Sequence, residues 1–191
     1  MSIMIDNVIA EALEVLKRGG VILYPTDTVW GIGCDATNEA AVARVFEIKR
    51  RSEAKSLVLL ACDLDMVAKH VKEIPNIAID LVEVNDAPMT IIYPGAQYLA
   101  PNVVAEDGSV GIRIPQNDFC VKLVRKLRRP LVSTSANISG EETPGCFAEI
   151  SPEILEAVDY VVPAALERDS TGRASQIIKL GLRGEVEIIR P

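Results

Sequence analysis

The chain has 191 residues, of which 49 % are hydrophobic, 25 % charged and only 4 % aromatic, with a formal net charge of −7. That length and balance fit one globular domain over residues 1–191 and exclude a disordered chain. The acidic balance argues against broad, nonspecific nucleic-acid binding but leaves room for a local cationic cavity.

The first predicted element is a helix capped by Asp6 or Asn7, with Ile9, Leu13 and Leu16 on one face. Gly19-Gly20 stops it. Val21-Ile22-Leu23-Tyr24 reads as a strand closed by Pro25. Gly31-Ile32-Gly33-Cys34-Asp35-Ala36 resembles a dinucleotide fingerprint only superficially, because it does not follow the strand directly; turn geometry explains it better. Asn38 caps a second helix, with Val42, Val45, Phe46 and Lys49 on a broad face. A strand is expected over 57–61 and a helix over 64–71. Residues 77–84 favour a helix, 89–93 and 109–114 strands, 118–127 a helix and 131–133 a short strand. A short helix over 152–158 begins at Pro152. Strands over 160–162, 176–180 and 186–189 complete the set. Strands and helices alternate, which predicts an α/β fold with a twisted sheet of mixed direction and flanking helices. The longest irregular stretches are 93–108, 138–151 and 163–173, and loops of that length often carry function.

The four cysteines, Cys34, Cys62, Cys120 and Cys146, form no C-x-x-C pair and read as small buried hydrophobes in a reducing compartment. No apolar run approaches the ~20 residues of a membrane span, and a cytoplasmic setting is expected.

Polar clusters punctuate the apolar runs. Lys49, Arg51 and Lys55 close together suit either a helix C-terminus or a polyphosphate. Ser133-Thr134-Ser135-Ala136-Asn137 follows a strand and suits either a turn or a ligand-binding rim. Arg113 stands inside an apolar strand and needs a partner there. That partner is Asp27, Asp35 or another acid, or a substrate carboxylate. With His70 as the sole histidine, the chemistry rests on cations, hydroxyls and backbone N–H groups.

In order, these clusters resemble the YrdC-like family of threonylcarbamoyl-AMP synthases. The matching segments are Tyr24-Pro25-Thr26-Asp27-Thr28-Val29-Trp30-Gly31-Ile32-Gly33, the K-x-R element Lys49-Arg50-Arg51 with Lys55, and Ser109-Val110-Gly111-Ile112-Arg113. They continue with Ser133 to Gly140, Thr143-Pro144, Ser175-Gln176-Ile177-Ile178 and Ile189-Arg190-Pro191. Two segments depart from the family pattern. Asn85-Asp86-Ala87-Pro88-Met89-Thr90 stands where W-P-G-P-x-T is usual, and Leu60 stands where some members have histidine.

The resemblance implies a concave, positively charged cavity and the short, single-domain form. It implies a nucleotidyltransferase that makes threonylcarbamoyl-AMP and pyrophosphate from L-threonine, bicarbonate and ATP for tRNA modification. Thr28, Arg113, Ser133 and Ser175 would hold threonine. Arg51, Lys55, Ser109, Ser135, Asn137, Thr143 and Arg190 would hold ATP, with Lys49 and Arg51 in the catalytic role. Mg²⁺ would come with ATP, without an organic cofactor or a protein metal site. Transient contact with tRNA and tRNA-modification proteins is implied, and none with a membrane. A noncatalytic RNA-binding protein of the same fold is the alternative.

Overall fold

The computed structural model describes residues 2–52, 57–168 and 170–191. Helix α1 (Ser2–Lys17) buries Val8, Ile9, Ala12, Leu13 and Leu16. It starts a turn before Asp6, because nothing in Ser2–Ile5 breaks a helix and Ile5 extends the apolar stripe onto the core. Gly19, at φ +80°, accepts the left-handed conformation that ends it. Then come β1 (Ile22–Tyr24), β2 (Gly31–Gly33), α2 (Glu39–Ile48), β3 (Val58–Leu60), α3 (Leu64–His70) and α4 (Asn76–Val84). The chain continues through β4 (Met89–Tyr93), β5 (Val110–Arg113), α5 (Asp118–Leu127) and β6 (Leu131–Ser135). It closes with α6 (Pro152–Ala157), β7 (Tyr160–Val161), β8 (Gln176–Leu180) and β9 (Val186–Arg190).

Among the described residues these strands form one nine-stranded sheet in the order β7-β1-β2-β6-β3-β5-β4-β8-β9. Pairs β1/β7, β3/β5 and β4/β8 are parallel and the other five antiparallel, which is the mixed direction expected. Helices α2 and α5 bury Val42, Val45 and Phe46, and Phe119, Leu123 and Val124, against it.

One expectation is corrected. Gly31-Ile32-Gly33 is not a turn but the buried strand β2, between β1 and β6. A Cβ on Gly33 would lie 2.1 Å from the Val132 carbonyl oxygen and 2.8 Å from the Tyr24 ring. The glycine serves close strand approach rather than a reversal. Cys34, Cys62 and Cys120 are buried as expected, while Cys146 is only partly covered. No helix among the described residues is long and apolar enough to cross a membrane.

Candidate active site on one face of the sheet

Side chains alternate across a strand, so residues two apart share a face. The register then sets Ser133 of β6 beside Val58 of β3, Val58 beside Gly111 of β5, and Gly111 beside Ile92 of β4. Arg113, two residues on from Gly111, shares that face. So do Thr90 of β4 and Ile177 of β8, which pair directly. A cavity of about 220 Å³ opens here, lined by Thr28, Trp30, Arg51, Val58, Arg113, Ser133, Ser135, Ser175, Ile177 and Arg190 among others. Small residues on the central strands make the floor, and cations with hydroxyls make the rim.

Arg113 is 4 % exposed and forms an ion pair with Asp27, itself buried. The second Asp27 oxygen accepts from the Gln116 backbone N–H at 3.0 Å. Arg113 Nη2 also donates to Thr28 Oγ1 at 3.3 Å. The two partners considered for Arg113 are therefore not exclusive: the guanidinium is held by an internal acid and still lines the cavity.

Thr26 fixes the proton order at Thr28. Its hydroxyl donates to Val29 O at 2.7 Å, so in the 2.9 Å Thr26–Thr28 contact it accepts. The Thr28 proton is thereby committed, and towards a ligand Thr28 Oγ1 only accepts. The segment after residue 169 closes over this strand end. Thr171 N–H donates to Asp27 O at 3.0 Å, Gly172 N–H donates to Thr28 O at 2.9 Å, and Ser170 Oγ also donates to Thr28 O. Ser175 Oγ meets Thr90 Oγ1 at 2.7 Å.

The K-x-R segment leaves α2 through a Schellman turn. Arg51 N–H donates to Phe46 O and Arg50 N–H to Glu47 O, both at 2.9 Å, with Arg50 left-handed at φ +48°. This turn brings Arg51 to the cavity wall. Lys49 is 1 % exposed and does not line the cavity. Its ammonium donates to Ser135 O at 2.5 Å and Asn137 O at 2.7 Å, and its own carbonyl accepts from Ser139 N–H at 2.8 Å. It stitches the K-x-R turn to the loop after β6. Burial, and then the Arg51 charge, lower its pKa to about 8. Burial also lowers the Arg51 and Arg190 guanidinium groups from their ordinary values. Partly desolvated cations of this kind favour an anion between them.

Seven of the residues singled out in the sequence thus meet in one cavity: Thr28, Arg51, Arg113, Ser133, Ser135, Ser175 and Arg190. Arg190 is fixed by two donations to Ser175 O, at 2.9 and 2.6 Å. Asn137 lies behind the wall, its amide donating to Ile138 O and Glu141 O. Thr143 is exposed on the loop beyond. Ser109 is on the same sheet face as Arg113 but outside the cavity lining. Lys55 lies outside the described residues. Trp30, which packs on Phe147 with ring centroids 4.9 Å apart, is a wall residue that charge and hydroxyl patterns did not reveal. Its partner is 117 positions away (147 − 30), and no local signal links them.

The sheet face gathers cations and hydroxyls around one cavity, an arrangement whose chemistry suits an anionic small molecule. The family model described as "Telomere recombination", covering Sua5, YciO and YrdC proteins, matches residues 14–191, and the chain belongs to that family. It is 32 % identical over 159 residues to the threonylcarbamoyl-AMP synthase of Hahella chejuensis, covering 83 % of this chain and 86 % of that one. The crystal structure of P. abyssi Sua5 complexed with L-threonine is similar at 26 % identity and a TM-score of 0.82. It covers 90 % of this chain, which spans 50 % of that protein. The solution structure of MTH1692 from Methanobacterium thermoautotrophicum is similar at 31 % identity and a TM-score of 0.72, covering 95 % of this chain and 84 % of that one.

Proposed function

We propose that this chain is an enzyme, a threonylcarbamoyl-AMP synthase. It joins L-threonine, bicarbonate and ATP into threonylcarbamoyl-AMP, pyrophosphate and water. The observation that carries the reading is the convergence of Arg51, Arg113 and Arg190 with four hydroxyl side chains, Thr28, Ser133, Ser135 and Ser175, in one cavity of a family member.

The chemistry needs no protein nucleophile. The threonine amine takes up bicarbonate to form a carbamate, whose oxygen attacks the α-phosphorus of ATP and expels pyrophosphate. The protein must hold three reactants together and stabilise phosphate charge. Arg113, oriented by Asp27, takes the threonine carboxylate through its planar fork. Thr28 Oγ1, an acceptor towards ligand, suits the threonine ammonium or hydroxyl. Arg51, Arg190 and Ser135 bind the nucleotide, with Ser109 and Thr143 further out. Lys49 acts through the Ser135–Asn137 backbone that it braces.

Mg²⁺ arrives as part of the nucleotide substrate, held by phosphate oxygens. Among the described residues no three His, Cys, Asp or Glu side chains gather as a metal site. The product, a reactive mixed anhydride, is consumed by transfer to tRNA. The setting is then cytoplasmic, with tRNA and its modifying proteins as transient contacts.

The test is the initial rate of pyrophosphate release with threonine, serine or valine, with and without bicarbonate. Serine lacks one methyl, about 0.8 kcal/mol when buried, so its rate should fall about fourfold. Valine leaves polar partners unpaired, about 1–3 kcal/mol, so it should fall about 5- to 150-fold. Valine matching threonine, or release that ignores bicarbonate, would refute the reading. Arg51→Ala should lower kcat/KM for ATP about 10- to 150-fold, from the 1.5–3 kcal/mol of a charge-assisted contact, with the fold intact. Wild-type kinetics in that variant would remove Arg51 from the site.

A further inference from the structure

Ser175, the residue before β8, is bonded on two sides. It lines the cavity, as does Arg190. Its carbonyl oxygen accepts from Arg190 Nε at 2.9 Å and from Arg190 Nη2 at 2.6 Å. Arg190 ends β9, an edge strand whose five residues are all exposed. The ladder between β8 and β9 is irregular at Ile177–Ile178, where Arg190 pairs. A long, rotamer-rich side chain on such a strand takes its place from the bonds its head group makes.

The hydroxyl of Ser175 meets Thr90 Oγ1 at 2.7 Å. Thr90 is fully buried in β4, at 0 % exposure, and does not line the cavity. Its neighbours on both sides fix how it sits. A Cβ on Gly111 of β5 would lie 3.4 Å from Thr90 Cγ2, so the methyl group occupies space beside the bare glycine. The hydroxyl is turned the other way, to Ser175. Pro88 O, two residues back, accepts from Gln176 N–H at 3.0 Å and holds the backbone just after Ser175. A relay thus runs from the sheet interior to its edge: Thr90 holds Ser175, and Ser175 holds Arg190.

Under the reading above, Ser175 faces one ligand with each end. Its hydroxyl serves the amino acid, and its carbonyl, through Arg190, serves the nucleotide. A ligand on Ser175 Oγ restrains that residue and the Arg190 anchor with it. The second ligand then meets a partner already ordered and loses less entropy on binding. Either oxygen can donate in the Thr90–Ser175 contact, so Thr90 can give its proton or take the serine's as the ligand requires.

We propose that Thr90 is a positioning residue that couples the amino-acid and nucleotide subsites through Ser175, so that threonine and ATP each tighten the binding of the other. This rests on the reading of the chain as an enzyme that uses threonine and ATP.

The test is calorimetric titration of threonine with and without saturating Mg-α,β-methylene-ATP, whose α–β bridge resists cleavage. It is run on wild type, Thr90→Val and Thr90→Ser. In wild type the nucleotide should lower the threonine Kd about fivefold or more, and threonine should lower the nucleotide Kd by the same factor. Thr90→Val keeps the shape and loses the hydroxyl, so the factor should fall below about twofold. Thr90→Ser keeps the hydroxyl and should retain the coupling. The factor is a ratio of dissociation constants, so a loss of folded protein alone does not move it. Absence of coupling in wild type would overturn the inference. So would a wild-type factor in Thr90→Val, which assigns the coupling to direct contact between the ligands. So would a Thr90→Ser variant that behaves like Thr90→Val, which makes the effect one of packing. Pyrophosphate release by wild type is scored separately. A wild type that couples the ligands but releases none with threonine, bicarbonate and Mg-ATP fails the synthase reading alone. One that releases pyrophosphate without coupling fails the Thr90 proposal alone.

Discussion

Arg113→Met is expected to cost about 3–5 kcal/mol of folding stability, because it strands the buried Asp27 carboxylate without its cation. Among the described residues the Asp27 carboxylate then keeps only the Gln116 N–H, at 3.0 Å, which cannot replace a guanidinium. Arg113→Lys separates the two duties of the residue. The ammonium can still pair with Asp27, so stability should stay near that of wild type. It cannot present a planar fork to a carboxylate, so threonine binding should weaken about 10- to 150-fold, from the 1.5–3 kcal/mol of a charge-assisted contact. Denaturant unfolding and calorimetric titration of threonine, run on both variants, read the two effects. Full threonine affinity in Arg113→Lys would leave Arg113 a purely structural ion-pair partner.

Lys49→Met should depress turnover by more than tenfold although the side chain does not line the cavity. It takes the Lys49 donor from the Asn137 carbonyl, at about 1–3 kcal/mol, while the Ser135 carbonyl keeps the Asn137 N–H at 2.9 Å; removing a desolvated charge offsets part of the loss. The loop that carries Ser135 then loses its brace. The wild type should show a matching pH signature. The Lys49 ammonium deprotonates near pH 8 in the folded chain, against an ordinary value of 10.5. Between those values the unfolded chain binds the extra proton, so this group's contribution to stability rises with pH. A neutral amine keeps two N–H donors for its two carbonyls, so the loop persists. The cavity meanwhile loses a nearby positive charge, and the KM for ATP should rise. Stability and ATP affinity thus move in opposite directions between about pH 7 and about pH 9.5, and both trends should vanish in Lys49→Met. A KM for ATP that stays flat in wild type across that window would refute the electrostatic role.

Most of the elements were legible because their apolar periods are clean. Residues 118–127 show a 3.6-residue period, and the helix forms over those residues. The run 89–93 is apolar with turn residues on either side, and the strand matches it. The site was legible because its chemistry is concentrated in short clusters, each at a strand end or a helix end. Three things were not. Gly31-Ile32-Gly33 has turn composition, and only the contact of β2 with Tyr24 and Val132 makes it a strand. Lys49 ends α2, where a cation favours the helix dipole, yet its ammonium leaves the axis for carbonyls 86 and 88 residues away. Thr90 reads as one more strand residue, and a separation of 85 positions hides its meeting with Ser175.

The order of strands carries a kinetic consequence. Residue 22 pairs with residue 160, and the cavity is assembled from Thr28 through Arg190. No contiguous third of the chain contains a complete ligand surface. Contacts of such high sequence separation require large loops to close before they return stabilisation, which slows the search for the native state. Strand β2, of only three residues, cannot hold its place until β1 and β6 flank it. Ligand competence should therefore appear late, in one cooperative step, and a partly folded chain should have no partial affinity to rescue it.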